Sequence, residues 1–325
     1  MRFIVYGAGA IGGAIGGRLF EAGHDVTLVA RGAQLRALRD DGLTLVGPDG
    51  SATLRVPAVG HPAEAGLCDG DVVILAMKSQ DTPAALADLG TVAPPGIRVL
   101  CAQNGVENER LALRSFAHVY GVAVMLPATH LEPGVVVAHL APTTGLLDLG
   151  RYPRGVDTVA KEVAATLSGA TFGSQARPDI MRWKYRKLIL NLGNAVEAVC
   201  GPEAARSTPL VRMARAEGEA CLQAAGIDAV SIEDDRARRG DLFELRPVTG
   251  QERRGGSSWQ SLARGLRSVE TDYLTGEIVL LGRLHGVPTP VNDLLQRLAN
   301  QMALEGRPPS SVAAEDVLAR LGVVP

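Results

Sequence analysis

Three stretches of this chain carry residue types at spacings that can do chemistry. The first is Gly7-Ala8-Gly9-Ala10-Ile11-Gly12, a G-x-G-x-x-G pattern between the β-forming run of residues 2–6 and a small-residue segment from Ala10 to Ala22 that Gly23 stops. Strand, glycine turn and helix in that order are the context a dinucleotide requires. Gly7 permits the tight turn, Gly9 lets backbone approach a pyrophosphate, and Gly12 lets the helix lie close on the strand. The helix N-terminus offers unpaired N–H groups and a partial positive charge to the phosphates. A purely structural glycine turn is the competing reading. The next strand, residues 25–30, runs into Arg31 at the place where an NAD enzyme carries an acidic residue for the ribose 2′-hydroxyl. A guanidinium there binds a 2′-phosphate bidentately, which favours NADP(H) over NAD(H). The plain alternative is a solvated loop arginine.

The second stretch is residues 183–194. On one helix Trp183, Lys187, Asn191 and Asn194 fall at i, i+4, i+8 and i+11, one face of about three turns. Asparagine is a poor helix-interior residue, and two of them beside Gly193 in an apolar segment imply a local need. A buried polar ladder with satisfied hydrogen bonds answers that need as well as a binding site does. The third stretch holds Ser257-Ser258 and, further on, Glu270. Either serine can cap a helix beginning at Trp259, and Glu270 can be a surface carboxylate. On one straight helix Ser258 and Glu270 stand about 18 Å apart. They share a site only if the chain bends, and Arg264-Gly265 is the expected bend.

The elements that position these residues follow from the pattern. Residues 71–76 form a continuous apolar run, as a central parallel strand covered on both faces requires. It ends at Lys78-Ser79-Gln80, before a helix from 82 to 89. Residues 96–101 form the next strand and end at Gln103-Asn104-Gly105. Ligands of doubly wound sheets sit beyond the carboxyl ends of the strands, so Lys78, Gln80 and Asn104 read together as cofactor contacts. Gly47-Pro48-Asp49-Gly50 signals a hairpin. Strand-like runs at 118–125, 135–140 and 146–149, a helix at 157–168 and a strand near 170–172 complete an α/β domain, a Rossmann-type doubly wound sheet spanning 1–176. Residues 177–325 read as a C-terminal all-helical domain. Within it the mixed charge run 233–239 reads as a solvated helix face, and 251–254 as a candidate lid. Apolar helices such as 278–284 suit packing within the domain or across a homodimer.

Composition limits the function classes. The chain's 325 residues suggest two domains, each with its own core. A net charge of -2 leaves no basic excess for nucleic acid, and 4% aromatics leaves few stacking platforms. No run approaches a membrane span. The early strand leaves no room for a signal peptide. Cys68, Cys101, Cys200 and Cys221 lack any C-x-x-C pairing, so they read as reduced thiols of a cytoplasmic protein. The six scattered histidines give no expectation of a metal.

The whole pattern resembles the ketopantoate reductases (2-dehydropantoate 2-reductases). Residues 7–13 look like their nucleotide loop, Lys78-Ser79-Gln80 like their segment beside the cofactor phosphate, and Gln103-Asn104-Gly105 like their Q-N-G turn. Lys187-Leu188-x-x-Asn191 resembles their K-L-x-x-N helix. Ser257-Ser258, Glu270-x-Asp272-Tyr273 and Gly286-Val287-Pro288-Thr289-Pro290-x-Asn292 resemble the signature of their helical domain. The resemblance implies NADPH-dependent reduction of a 2-oxo acid, with pantoate for pantothenate and coenzyme A synthesis as the expected product. It implies Lys187 as general acid, Asn104 holding both nicotinamide ribose and substrate, Asn191, Asn194 and Ser258 on the substrate, and Glu270 on its distal hydroxyl and beside the cofactor.

Three positions depart from the family pattern. Its second asparagine, four residues after the first, is Ala195 here, with Asn194 one place early. The aspartate four residues after its serine is Leu262, and the asparagine three residues before that serine is Gly255. Reductase chemistry is expected to persist, while the substrate widens to include other branched or larger 2-oxo acids. Two alternatives remain at this stage: an enzyme of the same build acting on another carbonyl or imine, and a non-catalytic NADP(H) sensor.

Overall fold

A computed structural model describes residues 1–250 and 255–323. The candidate lid at 251–254 lies outside the described residues. The described chain forms two compact units, one of Met1–Lys184 with 231–250, the other of Tyr185–Val230 with 255–323.

The first unit contains strands β1 (Arg2–Tyr6), β2 (Asp25–Val29), β3 (Leu43–Gly47), β4 (Gly50–Leu54), β5 (Ala58–Val59), β6 (Val72–Leu75), β7 (Arg98–Cys101), β8 (His118–Met125), β9 (Ala128–Thr129), β10 (Val135–Ala138), β11 (Leu140–Pro142), β12 (Gly145–Arg151), β13 (Phe172–Gly173) and β14 (Phe243–Leu245). The main sheet runs β13-β12-β8-β7-β6-β1-β2-β5. All its pairs are parallel except that of β8 with β12. β6 is buried at every position, as its unbroken apolar run requires. Its helices are α1 (Ala10–Glu21), α2 (Gly32–Asp40), α3 (Thr82–Gly90), α4 (Asn108–Leu113) and α5 (Thr158–Gly169), followed by the start of α6 (Ile180–Asn191). Phe3, Val5 and Leu28 pack with Ile15 and Leu19 of α1 on one face of the sheet; Ile4, Val73 and Leu75 pack with Leu86 and Leu89 of α3 on the other. The expected hairpin closes β3 on β4, pairing Gly47 with Gly50.

The described residues of the second unit form helices and the turns between them, with no strand. It holds the rest of α6, then α7 (Gly193–Cys200), α8 (Pro202–Ser207) and α9 (Leu210–Ala224). The chain next forms α10 (Ile232–Arg239) in the first unit, and resumes the second with α11 (Ser257–Ala263), α12 (Thr275–His285), α13 (Pro290–Glu305) and α14 (Ala314–Arg320). Buried Asn292 ties α13 to α9: its amide donates to Ala214 O at 2.9 Å and to Glu217 Oε2 at 2.7 Å. The Glu217 carboxylate also accepts the Val291 and Asn292 N–H groups. Leu280 and Leu284, in the apolar stretch singled out above, are exposed on α12.

The compact units divide the chain elsewhere than at 176. The first unit keeps the chain as far as Lys184, and residues 231–250 return to it. One buried carboxylate fastens Arg238 to the first unit. Asp148 of β12 accepts from Gln175 N–H, from Arg177 Nε at 3.0 Å, and from both Nε (2.8 Å) and Nη2 (2.6 Å) of Arg238. β14 then pairs with β11, Leu245 opposite Leu140. The charge run 233–239 is therefore not simply a solvated face, since Asp235 is buried and the Arg238 side chain is only 7% exposed. Removing one partner of a buried ion pair strands the other charge and costs about 3–5 kcal/mol. Asp148→Ala is expected to lower unfolding stability by about that amount in urea titration; a loss below about 1 kcal/mol would contradict the fastening described.

Candidate active site

The first unit's candidate residues stand beyond the carboxyl ends of four adjacent parallel strands, β7, β6, β1 and β2. β1 is the switch point, because the chain moves from it to β2 on one side and returns to β6 on the other. Gly7 has φ +100°, and a Cβ there would meet Met77 N at 2.7 Å. A Cβ on Gly12 would meet Gly7 O at 2.2 Å and Val5 Cγ1 at 3.0 Å, so α1 rests directly on the turn and the strand. Gly9 differs. Its φ is -86°, and a Cβ there would meet nothing closer than His130 Cδ2 at 3.9 Å. The fold itself does not require glycine at position 9. Gly9 is the N-cap of α1, no side chain caps that end, and its first turn carries no acidic residue. Ala10, Ile11 and Gly12 follow as a dipolar N-terminus suited to a pyrophosphate.

Gln34 steadies this loop: its Nε2 donates to Ala8 O at 2.7 Å, and its Oε1 accepts from Gly134 N–H at 2.7 Å. Sequence reading missed it, because a glutamine on α2 carries no signal of its own. Arg31 follows β2 with its side chain 72% exposed, and the Asp81 carboxylate stands 3.9 Å away. So open a pair is worth little, which leaves the guanidinium available to an anion. Lys78 precedes a short 3₁₀ turn, Ser79–Asp81, that carries Gln80.

Asn104 sits in a buried polar network. Its carbonyl accepts from Asn108 Nδ2 at 3.0 Å and from Ser79 Oγ at 3.3 Å. Gln103 Nε2 donates to Met77 O at 3.1 Å and to Thr82 Oγ1 at 2.8 Å, and Thr82 Oγ1 donates to Asn108 Oδ1. Beneath lies an ion pair that the sequence reading did not find, with Lys184 Nζ 2.5 Å from Glu109 Oε1. Burial pushes the Glu109 carboxyl up from the ordinary range, and the Lys184 ammonium opposes that shift. The available signal was spacing: Lys184 lies four residues from both Ile180 and Leu188, which are fully buried on α6. A separate groove, lined by Arg98, His118 and Arg151, opens at the amino ends of β7 and β8, away from these loops.

In the second unit Lys187 is half-buried and Asn191 buried, one turn apart on α6. The expected single helix is divided at Leu192, with Lys187 and Asn191 on α6 and Asn194 on α7. Asn194 meets the start of α11: a Cβ on Gly256 would lie 3.0 Å from Asn194 Oδ1, and Glu197 Oε2 accepts from Gly256 N–H at 2.7 Å. The capping role considered for Ser258 fails. α11 starts at Ser257 with Gly256 as N-cap, placing Ser258 inside the helix and 2% exposed. The bend falls where expected, with α11 ending at Ala263 and Gly265 at φ +68°. Glu270 then opens a 3₁₀ turn, Glu270–Tyr273, and is 2% exposed, which excludes a surface carboxylate. The departure at Gly255 has a steric cause, since a Cβ there would meet Trp259 Cγ at 2.5 Å. Ala195 and Leu262 are buried apolar residues.

A doubly wound sheet with a phosphate-ready glycine loop, joined to a helical unit bearing lysine, amide, hydroxyl and carboxylate groups, defines a two-domain oxidoreductase. The comparisons specify which. Residues 3–154 match the family model described as "Ketopantoate reductase PanE/ApbA", and residues 179–303 match "Ketopantoate reductase PanE/ApbA C terminal". The chain belongs to the ketopantoate reductase family. It is 30% identical to the 2-dehydropantoate 2-reductase of Halobacterium salinarum, covering 94% of this chain and 99% of that protein. It is 28% identical to that of Pyrococcus horikoshii over 92% and 96%. The crystal structure of a PanE/ApbA family ketopantoate reductase from Ralstonia eutropha has a TM-score of 0.78 and 27% identity, covering 94% of this chain and 99% of that one. The ternary structure of D-mandelate dehydrogenase with NADH and anilino(oxo)acetate has a TM-score of 0.79 over the same shares; at 22% identity it speaks to the fold alone.

The glycine geometry yields a paired expectation. Gly12→Ala forces backbone apart and should cost about 1–3 kcal/mol of stability. Gly9→Ala should stay within about 0.5 kcal/mol of the parent, yet bind a nicotinamide dinucleotide about tenfold more weakly, roughly 1.4 kcal/mol. Thermal unfolding and fluorescence titration separate the two; unchanged dinucleotide affinity in Gly9→Ala would remove the loop from the cofactor site.

Proposed function

We propose that this protein is an NADPH-dependent 2-oxo acid reductase that converts 2-dehydropantoate (ketopantoate) to pantoate, the step that feeds pantothenate and coenzyme A synthesis. The observation that carries the reading is the family match over both units, joined to a glycine loop whose Gly9 has room for a side chain and lacks one. The curated relatives named above are 2-dehydropantoate 2-reductases. The four cysteines are unbonded, in keeping with the reducing cytoplasm proposed as its compartment.

In this reading residues 7–12 hold the pyrophosphate, while Arg31, with Lys78 and Gln80, takes the 2′-phosphate. Bound, the nicotinamide supplies a hydride to the substrate's carbonyl carbon. Lys187 donates its proton to the carbonyl oxygen, where negative charge builds as the C–O double bond becomes single. Asn104 holds both nicotinamide ribose and substrate. Asn191, Asn194 and Ser258 orient the 2-oxo acid. Glu270 accepts from the substrate's distal hydroxyl and lies beside the cofactor.

A second substrate reading has its own support. Ala195 and Leu262 are apolar, and Trp259 fills the space beside Gly255. A pocket with fewer polar groups suits a larger 2-oxo acid.

The deciding experiment follows NADPH oxidation with ketopantoate beside 2-oxo acids of graded size. Turnover confined to ketopantoate supports the first reading, preference for a larger acid the second, and no turnover at all counts against both. With the preferred acid, Lys187→Ala should lower kcat about 10²–10⁴-fold while NADPH affinity stays near the parent's; unchanged kcat removes Lys187 from acid catalysis. Arg31→Asp should erode the preference for NADPH over NADH about 10–100-fold, as loss of a charge-assisted hydrogen bond implies. Equal use of both cofactors by the parent protein would already contradict the role of Arg31.

A further inference from the structure

The buried Lys184–Glu109 pair has no part in the reaction as proposed above, and its position asks for one. The ladder between β7 and β8 ends at the pair Cys101 and Gly121. Just past it, Lys184 Nζ donates to Gln103 O at 2.9 Å and to Val122 O at 3.3 Å, with Glu109 Oε1 as its counter-charge at 2.5 Å. The side chains are 2% and 0% exposed. Taking two charges out of water gains little stability, and hydrophobic residues of similar volume often serve as well or better. The cation is therefore an expensive way to hold two carbonyls if folding is its only use. Gln103 immediately precedes Asn104, and the turn continues through Gly105 at φ +79°. The side chain of Gln103 and the carbonyl of Asn104 are pinned from the other side by Thr82, Ser79 and Asn108. The Asn104 turn is thus clamped from two directions, and Lys184 is one jaw.

We propose that Lys184, charge-balanced by Glu109, is a positioning residue for the reduction: it fixes the Gln103-Asn104-Gly105 turn, and through it the placement of Asn104 toward cofactor and substrate. This rests on the role given to Asn104 in the proposed function. Lys184 touches neither reactant and acts only through that turn. A reacting group displaced by about 1 Å can cost about 10² in rate, so a clamp of this kind shapes turnover more than folding.

The test replaces both charges at once, by Lys184→Met with Glu109→Gln, so that neither is left buried alone. The expected result is a thermal midpoint near the parent's, kcat lowered about 10²-fold, and a measurable weakening of NADPH binding. Adding Asn104→Ala to the pair should then lower kcat no further than Asn104→Ala alone, because effects routed through one residue do not add. A folded double variant with the parent's kcat and NADPH affinity overturns the proposal, as do fully additive effects. Should that variant not fold, Lys184→Leu with Glu109→Met likewise removes the donor beneath the two carbonyls and is read by the same criteria. A parent protein that binds NADPH but reduces no 2-oxo acid defeats the functional reading alone, and NADPH affinity in the double variant then decides the positioning. A parent that binds no NADPH overturns both.

Discussion

The structure of the first unit depends on how closely α1 approaches β1. A Cβ on Gly12 would fall 2.2 Å from the carbonyl of Gly7, a distance no side chain tolerates. That contact fixes the helix axis over the strand and delivers the N-terminus of α1 to the switch point of the sheet. Gly13, Gly16 and Gly17 continue the same closeness along the helix. Cβ atoms there would press on Val136, Leu28 and Leu43 at 2.7, 2.5 and 2.9 Å. With small residues the helix sinks onto the sheet; with larger ones the loop would rise, and the N–H groups at its end would no longer converge on one point. Packing density along α1 therefore sets where the N-terminus of the helix stands.

Much of this was legible in the sequence because the signals were local. The glycine spacing, the apolar run of β6, the Gly47–Gly50 hairpin and the bend at Gly265 each follow from the conformational needs of a few neighbouring residues. Where a burial pattern had to be read over longer range, local signals misled. The single helix expected over 183–194 is divided at Leu192 between α6 and α7. The charges of 233–239 look solvated in isolation, yet Arg238 has a partner ninety positions away. Lys184 resembles any helix lysine until its distance from Ile180 and Leu188 is set against their burial. Ser258 looks like a cap, and only the position of Gly256 makes it an interior residue.

The two units also use polar groups in different ways. In the first, a chain of amides and hydroxyls joins the loops after β6 and β7, so the ends of neighbouring strands are braced against one another. In the second, Glu217 and Asn292 fasten one helix to another by gathering the free N–H groups at the start of α13. Both arrangements satisfy buried polar groups with partners distant in sequence. The rigidity they confer is placed beside the residues of the candidate site in the first case and within the helix packing in the second.

The fastening of Arg238 to Asp148 has a consequence for synthesis on the ribosome. At about 5–20 residues per second, the ninety positions separating the two take on the order of 5–20 seconds to emerge. Throughout that interval the nascent first unit has its β12 carboxylate in place without its closing partner. Arg177, only twenty-nine positions on, reaches the same carboxylate much sooner and can neutralise it in the meantime. The first unit thus begins folding early but gains Arg238 only after residues 185–230 of the helical unit have been translated.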